Sequence, residues 1–303
     1  MSFGAMTATP IMIIGRNGQL ARELADLAWP VEVQPHFLGR GEIDLFDMNA
    51  VDAHLRALRP AAIVNTAAYT AVDLAESQPV MAALLNADMP AGLAQIASRQ
   101  GIPLVHLSTD YVFAGDSDRP YRELDAAAPA SVYGQTKLAG ERAVLTSGAR
   151  ATILRSAGLF GRHGQNFLKT MIARSHDLRP VSMVSDQIHT PTPAAALAAL
   201  TRQIVLDLMA GRDLPHLMHV AGQPLTTWFD LTTQIFGALR AAGRTALPSL
   251  QPVALSDFPR RAPRPRYSAL DCNLATSLGY AVPAWEAVLP ALVHTLAQER
   301  IAA

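Results

Sequence analysis

The sequence has only one cysteine, only two lysines and no excess of charge of either sign in its 303 residues. With Cys272 alone, the chain cannot close an internal disulfide or build a cysteine-based zinc cluster, as is typical of proteins from a reducing interior. Basic and acidic residues balance at 25 each. The net charge therefore gives no reason to expect nucleic acid or an anionic membrane as the main partner.

Long uninterrupted apolar runs are also missing. The longest apolar stretch, 194–210, contains Arg202 and Asp207, and this pattern favours an amphipathic helix over a membrane span. The first charged side chain is Arg16, so the N-terminus lacks the basic start of a signal peptide. We therefore expect a cytoplasmic protein without a membrane partner. Half of the residues are hydrophobic, which is enough for a sizeable packed core.

Segments typical of strands and helices alternate through the first half of the chain. Short apolar runs predict strands at 11–14, 31–38, 61–65, 102–107 and 152–154. Helices are predicted between these strands, the longest of them at 79–100. Such alternation is typical of a parallel sheet with helices on both faces. The predicted fold class is therefore α/β, a doubly wound parallel sheet of the Rossmann type with a second, smaller mixed α/β domain.

The pattern changes after about residue 160, where strands shorten and prolines become more frequent. We therefore predict a doubly wound domain over 1–160 and a smaller mixed domain over 161–303, with some later segments returning to the first domain. The stretch 256–266 is rich in proline and arginine and is predicted to be a loop.

The first predicted strand runs into a turn that contains Gly15 and Gly18. A dinucleotide pyrophosphate needs backbone N–H groups at a helix N-terminus, and glycines let that backbone come close. Ala21 stands where a third small residue would pack helix against strand. An ordinary strand-to-helix turn has the same appearance, but its place after the first strand of an α/β pattern favours a cofactor site.

The end of the second predicted strand bears on the choice between NADP and NAD. An arginine there accepts a ribose 2′-phosphate, whereas a carboxylate binds the 2′-hydroxyl. Arg40 lies just past the strand and Arg16 lies inside the glycine turn, while the nearest acids, Glu42 and Asp44, come later. The sequence therefore favours NADPH and leaves NADH open.

Tyr133 and Lys137 are four residues apart, which places them on one face of a helix. A free tyrosine titrates near pH 10, and a neighbouring ammonium can lower its pKa so that the phenol gives and takes a proton on a carbonyl or alcohol. An accidental pair on a solvated helix face is the alternative. Because the chain has only two lysines, chance is a poor explanation of the pairing, and we interpret it as functional.

Several motifs occur in an order that resembles the extended short-chain dehydrogenases/reductases, and within them the dTDP-4-dehydrorhamnose reductase family. The chain carries Gly-x-x-Gly-Gln-Leu at 15–20, Asn-Thr-Ala-Ala-Tyr at 65–69, Ser-Thr-Asp-Tyr-Val-Phe at 108–113, Tyr-x-x-x-Lys at 133–137, Asn-Phe at 166–167, and Asp-Gln followed by Pro-Thr at 186–192. The resemblance covers nearly the whole chain. It implies NADPH- or NADH-dependent reduction of a 4-keto-6-deoxy sugar nucleotide, with dTDP-4-dehydro-L-rhamnose as the expected substrate.

The resemblance also implies that the domain over 1–160 binds NAD(P) and that the domain over 161–303 binds the sugar nucleotide, and it implies a role for each matched residue. The residues expected to bind the cofactor are Gly15, Gly18, Gln19, Leu20, Arg40, Asp44, Leu45, Ala67, Ala68, Tyr69, Tyr133 and Lys137. Tyr133 is the expected proton donor, Lys137 binds the nicotinamide ribose and tunes Tyr133, and Thr109 donates a hydrogen bond to the sugar carbonyl. Thr109, Asp110 and Gly158 are expected at the substrate. No metal is predicted, and the chain is expected to be a monomer or a homodimer.

One position departs from the family pattern. The family usually has a tryptophan at the sugar-nucleotide site after the fifth strand, where this chain has Gly158. An aromatic wall worth about 1 kcal/mol or more is then missing. Either another side chain fills the gap, with Phe160 as the candidate, or the sugar specificity differs.

Other readings of the same motifs stay open. A sugar-nucleotide epimerase or dehydratase has the same fold, but related dehydratases carry a glutamate where this chain has Tyr111, which counts against dehydration. A non-catalytic regulatory subunit that binds NADP is the third alternative, because fold and motif alone do not establish activity. Arg260, Arg261, Arg264 and Arg266 form a basic loop that is suited to a diphosphate or is simply solvated.

Overall fold

A computed structural model describes residues 8–258 and 260–299 of the chain. The strands are β1 Thr9–Ile14, β2 Val33–Leu38, β3 Ile63–Asn65, β4 Leu104–Thr109, β5 Ala151–Ser156, β6 Leu159–Phe160, β7 Val181–Val184, β8 Ile188–His189, β9 Thr192–Pro193, β10 Leu217–His219, β11 Thr226–Thr227 and β12 Leu250–Val253. The α-helices are α1 Gln19–Asp26, α2 Met48–Leu58, α3 Val72–Ala75, α4 Pro79–Ala83, α5 Met89–Gln100, α6 Val132–Thr146, α7 Phe167–Arg174, α8 Ala194–Met209, α9 Trp228–Ala241, α10 Asn273–Ser277 and α11 Trp285–Glu299.

Six parallel strands form the central sheet in the order β10-β5-β4-β3-β1-β2. The apolar run Ile11–Ile14 is buried on both faces of the sheet, as expected of a strand covered by helices on each side. The strand order reverses between β1 and β3, and ligands of open α/β sheets bind beyond the carboxyl ends of the strands at such a point. The predicted doubly wound parallel sheet is confirmed.

Helices cover both faces of this sheet. On one face, Leu24 of α1 and Leu197 of α8 share a core with the sheet, and on the other face Leu55 of α2 and Leu93 of α5 do so. A separate core holds side chains of α7, α9 and α11, with Trp285 fully buried in it. The smaller mixed region therefore has its own hydrophobic centre.

The second half of the chain also returns to the central sheet. Strand β10 pairs with β5, and α8 packs on α1. The proposed division at residue 160 thus separates the two cores only in part, as we expected for some segments, and the ends of the two ranges at residues 1 and 303 lie outside the described residues. The boundary itself stays a prediction.

The predicted helix at 79–100 is interrupted. A π-helical turn, Leu84–Asp88, separates α4 from α5, and the buried side chain of Asn86 in this turn hydrogen-bonds to Tyr69 and Thr136. Within the described residues this run alone is long and apolar enough to cross a membrane by length and composition, and 44% of its most apolar window is buried inside the molecule. Its apolar residues, Leu93 and Ile96 among them, belong to the core of the sheet.

Candidate active site

The site lies along the carboxyl edge of the central sheet, where four neighbouring strands end. Gly15 follows β1, the segment 67–69 follows β3, Thr109 ends β4 and Gly158 follows β5. Thr109 and Ser156 are register partners on adjacent strands, so the ends of β4 and β5 lie side by side. The parallel topology thus brings residues from distant parts of the sequence to one crevice.

The turn after β1 fits a dinucleotide pyrophosphate. Gly15 has φ +103°, and a Cβ atom there would lie 2.5 Å from Thr66 Oγ1 and 2.7 Å from the backbone N of Ala67, so a side chain is excluded. The N-cap of α1 is Gly18, which has no side chain to bind the first backbone N–H groups of the helix. These groups are therefore left for an anionic ligand.

The two residues that follow Gly18 contribute in different ways. Leu20 is buried in the core beneath the turn, so only its backbone faces the crevice. The side-chain oxygen of Gln19 accepts a hydrogen bond from Asn166 Nδ2 at 3.1 Å, which ties the turn to the start of α7. We propose that Gln19 holds the turn in shape for the cofactor.

The end of β2 carries a carboxylate as well as arginines. Glu42 pairs with Arg16, and its other oxygen accepts a hydrogen bond from the backbone N of Gly39 at 2.9 Å. Arg40 is exposed beside this pair. Asp44 caps its own turn by accepting from the backbone N of Phe46 at 3.0 Å, and Leu45 is buried in the core. Glu42, which the sequence analysis noted only as coming later than Arg40, thus lies against the end of β2 and beside Arg16.

Replacing Glu42 tests whether this carboxylate helps to select between NADPH and NADH. The Glu42→Gln variant should prefer NADPH over NADH more strongly, by about 5- to 10-fold in the ratio of kcat/KM values, because a carboxylate repels a 2′-phosphate and accepts from a 2′-hydroxyl. The control is Glu32→Gln, an exposed carboxylate just before β2. An unchanged ratio in Glu42→Gln would show that this carboxylate takes no part in cofactor selection.

Tyr133 lies on the first turn of α6 with its side chain buried. Ser131 begins this helix, because its hydroxyl accepts a hydrogen bond from the backbone N of Gly134 at 3.2 Å. Burial raises the pKa of the Tyr133 phenol, and the hydroxyl of Thr109, acting as a side-chain hydrogen-bonding partner, opposes the rise. This direction is opposite to the lowered pKa that the pairing with Lys137 led us to expect.

Thr109 is held by its neighbour. Its hydroxyl donates to Asp110 Oδ1 at 3.0 Å and accepts from the backbone N of Tyr111 at 3.2 Å. Burial raises the pKa of the Asp110 carboxyl to about 6. The rings of Tyr111 and Tyr133 meet edge to face with centroids 5.6 Å apart, so Thr109, Asp110 and the two tyrosines form one buried group.

Lys137 lies one turn after Tyr133 and is buried. Its amine donates to the backbone oxygen of Leu107 at 2.7 Å and lies 3.5 Å from His106 Nε2. Burial lowers the pKa of Lys137 to about 8, against the raising effect of Glu141 one turn further along α6. The amine thus faces β4, which explains why it does not lower the pKa of Tyr133 here.

The loop after β3 is fixed by a side chain that the sequence analysis missed. The backbone N of Tyr69 donates to Asn86 Oδ1 at 2.8 Å, and Asn86 Nδ2 donates back to the oxygen of Tyr69 at 3.1 Å. These bonds hold Ala67 and Ala68 next to the glycine turn in a half-buried position. A polar residue inside an otherwise apolar helical run was the signal for Asn86.

Another aromatic pair lies beside Gly158. A Cβ atom at Gly158 would be 3.1 Å from His189 Nδ1 and 3.3 Å from the Cα of Pro191, and its φ is +51°. The His189 ring stacks on Trp228 with centroids 3.9 Å apart. Phe160, the candidate for filling this gap, lies instead in the core of α7, α9 and α11. The space next to Gly158 is therefore taken by His189 because its strand, β8, approaches the end of β5.

Three possible metal ligands lie near one another outside this site. Glu23, Asp26 and His163 offer ligand atoms within 4.8 Å of one another, and His163 Nε2 is 2.6 Å from Asp26 Oδ2. Burial raises the pKa of the Glu23 carboxyl. The contact of His163 with Asp26 is that of a histidine–carboxylate pair, and the prediction that the chain holds no metal stays a prediction.

Known proteins resemble the chain over almost its full length. A model of the family described as the RmlD substrate binding domain matches residues 9–298. A dTDP-4-dehydrorhamnose reductase from Sinorhizobium fredii is 36% identical over 95% of this chain and 98% of that protein. A probable dTDP-4,6-dihydroxy-2-methyloxan-3-one 4-ketoreductase from Streptomyces antibioticus is 42% identical over 86% of this chain and 85% of that protein.

A solved structure matches the fold as well. The dTDP-4-dehydrorhamnose reductase of Bacillus anthracis, crystallised in complex with NADP, superimposes with a TM-score of 0.87 at 31% identity, covering 94% of this chain and 99% of that one. The family match spans both the dinucleotide-binding sheet and the smaller mixed region. The resemblance stated from the motifs is confirmed, and the chain belongs to the dTDP-4-dehydrorhamnose reductase family.

Proposed function

We propose that this protein reduces a 4-keto-6-deoxy sugar nucleotide with NADPH, most specifically dTDP-4-dehydro-L-rhamnose to dTDP-L-rhamnose. The observation that carries the proposal is the buried group at the end of β4, where Thr109 interacts with the phenol of Tyr133 and Lys137 follows on the same helix. The curated relatives and the NADP-bound structure support the same reaction and cofactor.

Residues at the carboxyl edge are suited to hold the dinucleotide. Gly15 and the N-terminus of α1 would take the pyrophosphate, Arg40 the 2′-phosphate, and Asp44 with Leu45 would border the adenine. Ala67, Ala68 and Tyr69 would line the rest of the cofactor, and Lys137 would bind the nicotinamide ribose. When bound, NADPH supplies the hydride that the carbonyl carbon accepts.

The chain's own residues donate the proton and stabilise the negative charge that develops on the carbonyl oxygen. Tyr133 donates the phenolic proton to the carbonyl oxygen, and its raised pKa keeps the phenol protonated at neutral pH, which is the form a proton donor requires. Thr109 polarises the same oxygen when its hydroxyl hydrogen turns from Asp110 to the substrate. Burial of both side chains keeps water away from the oxygen.

A cationic side chain, Arg264, lies next to the buried group that contains Tyr111 and Tyr133. Arg264 lies over the ring of Tyr111 with its Cζ 5.7 Å from the centroid, and one of its nitrogens donates to Asp73 at 2.8 Å. Its other terminal nitrogen, Nη1, is buried without a hydrogen-bond partner in the part of the chain that the structure describes. A buried guanidinium nitrogen of this kind is stabilised by an anionic oxygen, and we assign that oxygen to the diphosphate.

The Arg264→Gln variant tests this assignment. Its KM for the sugar nucleotide should rise about 10- to 100-fold, as expected for the loss of a charge-assisted hydrogen bond, while kcat changes by less than about threefold. The matched control is Arg261→Gln, because Arg261 is an exposed arginine of the same loop. Equal effects of the two substitutions on KM would contradict a specific role for Arg264.

The reaction class is tested by following NADPH absorbance against a panel of 4-keto sugar nucleotides. A reductase consumes one NADPH for each ketone, whereas an epimerase recycles its cofactor and shows no net consumption. A regulatory subunit binds NADPH and reduces none of the panel. The expected result is stoichiometric oxidation with a dTDP-linked 4-keto sugar, and the absence of oxidation with every member would contradict the proposal.

That panel should include a second dTDP-linked keto sugar besides dTDP-4-dehydro-L-rhamnose. The 42% identical relative from Streptomyces antibioticus is named as a ketoreductase of a different dTDP-linked keto sugar. In this chain, Gly158 and the His189–Trp228 stack replace the indole that the family usually places at the sugar-nucleotide site. This observation favours a dTDP-4-keto sugar other than dehydrorhamnose as the second candidate.

We also propose that the protein is cytoplasmic, that it is a monomer or homodimer, and that it has no membrane or nucleic-acid partner. The balanced charge of the sequence supports the part of the proposal that concerns nucleic-acid and membrane partners. Light scattering on the purified protein, with and without NADPH, measures the oligomeric state directly.

A further inference from the structure

A series of hydrogen bonds leads from the segment after β3 to the amine of Lys137, and the reaction described above does not use it. Asn65 at the end of β3 and His106 in β4 are fully buried and stand next to each other in register. His106 Nε2 lies 3.5 Å from Lys137 Nζ, and Lys137 donates to the backbone oxygen of Leu107 at 2.7 Å. A polar pair at the centre of a parallel sheet costs free energy unless its hydrogen bonds are specific.

The contact between Ala67 and Asn65 determines the donor and the acceptor in each of the hydrogen bonds that lead to Lys137. The backbone N–H of Ala67 donates to Asn65 Oδ1 at 3.1 Å, so the amide nitrogen of Asn65 must face the other way. That nitrogen lies 3.0 Å from His106 Nδ1 and donates to it. A neutral imidazole that accepts at Nδ1 carries its proton on Nε2. Burial, followed by the charge of Lys137, lowers the pKa of His106 well below its usual range, so the ring is neutral.

The Nε2–H group of His106 therefore faces the nitrogen of Lys137. If Lys137 is protonated, its ammonium and the Nε2–H group of His106 are two donors that face each other without an acceptor. An uncharged amine instead accepts from His106 and still donates to Leu107. The charged or titratable groups that act on Lys137 are Glu141 on its own helix and His106 on β4, and the Glu141 carboxylate is paired with Arg155 of β5.

We propose that Asn65 and His106 are positioning residues that hold the Lys137 amine against β4 and favour its uncharged form, so that at alkaline pH dinucleotide binding is coupled to uptake of a proton by Lys137. The inference rests on the proposed function only in taking Lys137 as the residue that binds the nicotinamide ribose. The proton adds to the Lys137 nitrogen from solvent as the amine leaves His106, and no bond to carbon changes. Ala67, at the other end of the chain of bonds, belongs to the segment assigned to the cofactor.

The pH dependence of NADPH affinity, measured by fluorescence titration without substrate, tests the proposal. Wild-type affinity should fall as the pH rises through about 8, where the free enzyme loses the charge on Lys137. In His106→Met the donor facing the amine is gone, so the fall should begin about one pH unit higher. His106→Gln is the conservative control, because its amide can accept from Asn65 and donate to Lys137, and its profile should stay close to the wild-type one.

A folded His106→Met protein with the wild-type pH profile would overturn the proposal. Should that variant fail to fold, ¹⁵N NMR of histidine in the wild-type protein decides the matter, because the proposal requires His106 to be neutral with its proton on Nε2 between pH 6 and 9. A proton on Nδ1 would equally overturn it. Neither measurement uses a sugar nucleotide, so failure of the reductase assignment leaves both readouts intact.

Discussion

The Tyr133→Phe variant should retain NADPH binding and lose about 10²- to 10⁴-fold in kcat, the usual contribution of a positioned proton donor. The phenol is buried and interacts with Thr109. The substitution removes one oxygen and keeps the ring that packs against Tyr111. Steady-state kinetics and an NADPH titration on the same preparation measure the two effects.

The control for this variant is Tyr280→Phe. The hydroxyl of Tyr280 donates to Asp207 at 2.7 Å, and neither residue belongs to the group around Tyr133. Its loss should lower the free energy of unfolding by about 1 kcal/mol and leave kcat unchanged. Near-normal turnover in Tyr133→Phe would contradict the assignment of the proton donor.

The Glu141→Leu variant should lower the free energy of unfolding by about 3–5 kcal/mol, because it leaves a buried guanidinium without its counter-charge. Arg155 of β5 donates to Glu141 of α6 through two hydrogen bonds of 2.8 and 2.6 Å, and both side chains are almost completely buried. The pair joins the helix that carries Tyr133 and Lys137 to the sheet. Chemical denaturation monitored by circular dichroism measures the loss.

A second substitution distinguishes the loss of the charged partner of Arg155 from the change in side-chain volume at position 141. In Glu141→Leu/Arg155→Met no charge is left unpaired, so the double variant should recover most of the lost stability. Should the double variant be less stable than Glu141→Leu by the full cost of Arg155→Met alone, the two side chains would not be energetically coupled, and the explanation given for the single variant would be wrong.

The sheet and the reacting pair follow from local patterns in the sequence. Apolar runs such as Ile11–Ile14 are visible without neighbours, and a tyrosine four residues before a lysine defines one helix face. The carboxyl edge then follows from the parallel topology, which brings Gly15 and Thr109 together although they are far apart in the chain. The order of the motifs then identified the family, and the family implied the class of substrate.

The direction of the Lys137 amine could not be predicted, because it depends on contacts between segments that periodicity does not relate. Its partner His106 lies in an apolar strand and gave only one signal, a titratable residue where the pattern demands an apolar one. The stacking of His189 on Trp228 joins β8 to the start of α9, and no local pattern in the sequence connects them. The sequence shows that Gly158 departs from the family pattern, but its contact with His189 depends on the three-dimensional fold.

The fate of the hydride tests the central claim most directly. With NADPH deuterated at the transferable position of C4 and dTDP-4-dehydro-L-rhamnose as substrate, one deuterium should appear at carbon 4 of the product sugar for each NADPH oxidised, as read by NMR and mass spectrometry. Product formed without net NADPH oxidation, or a product without deuterium at carbon 4, would contradict the reductase account.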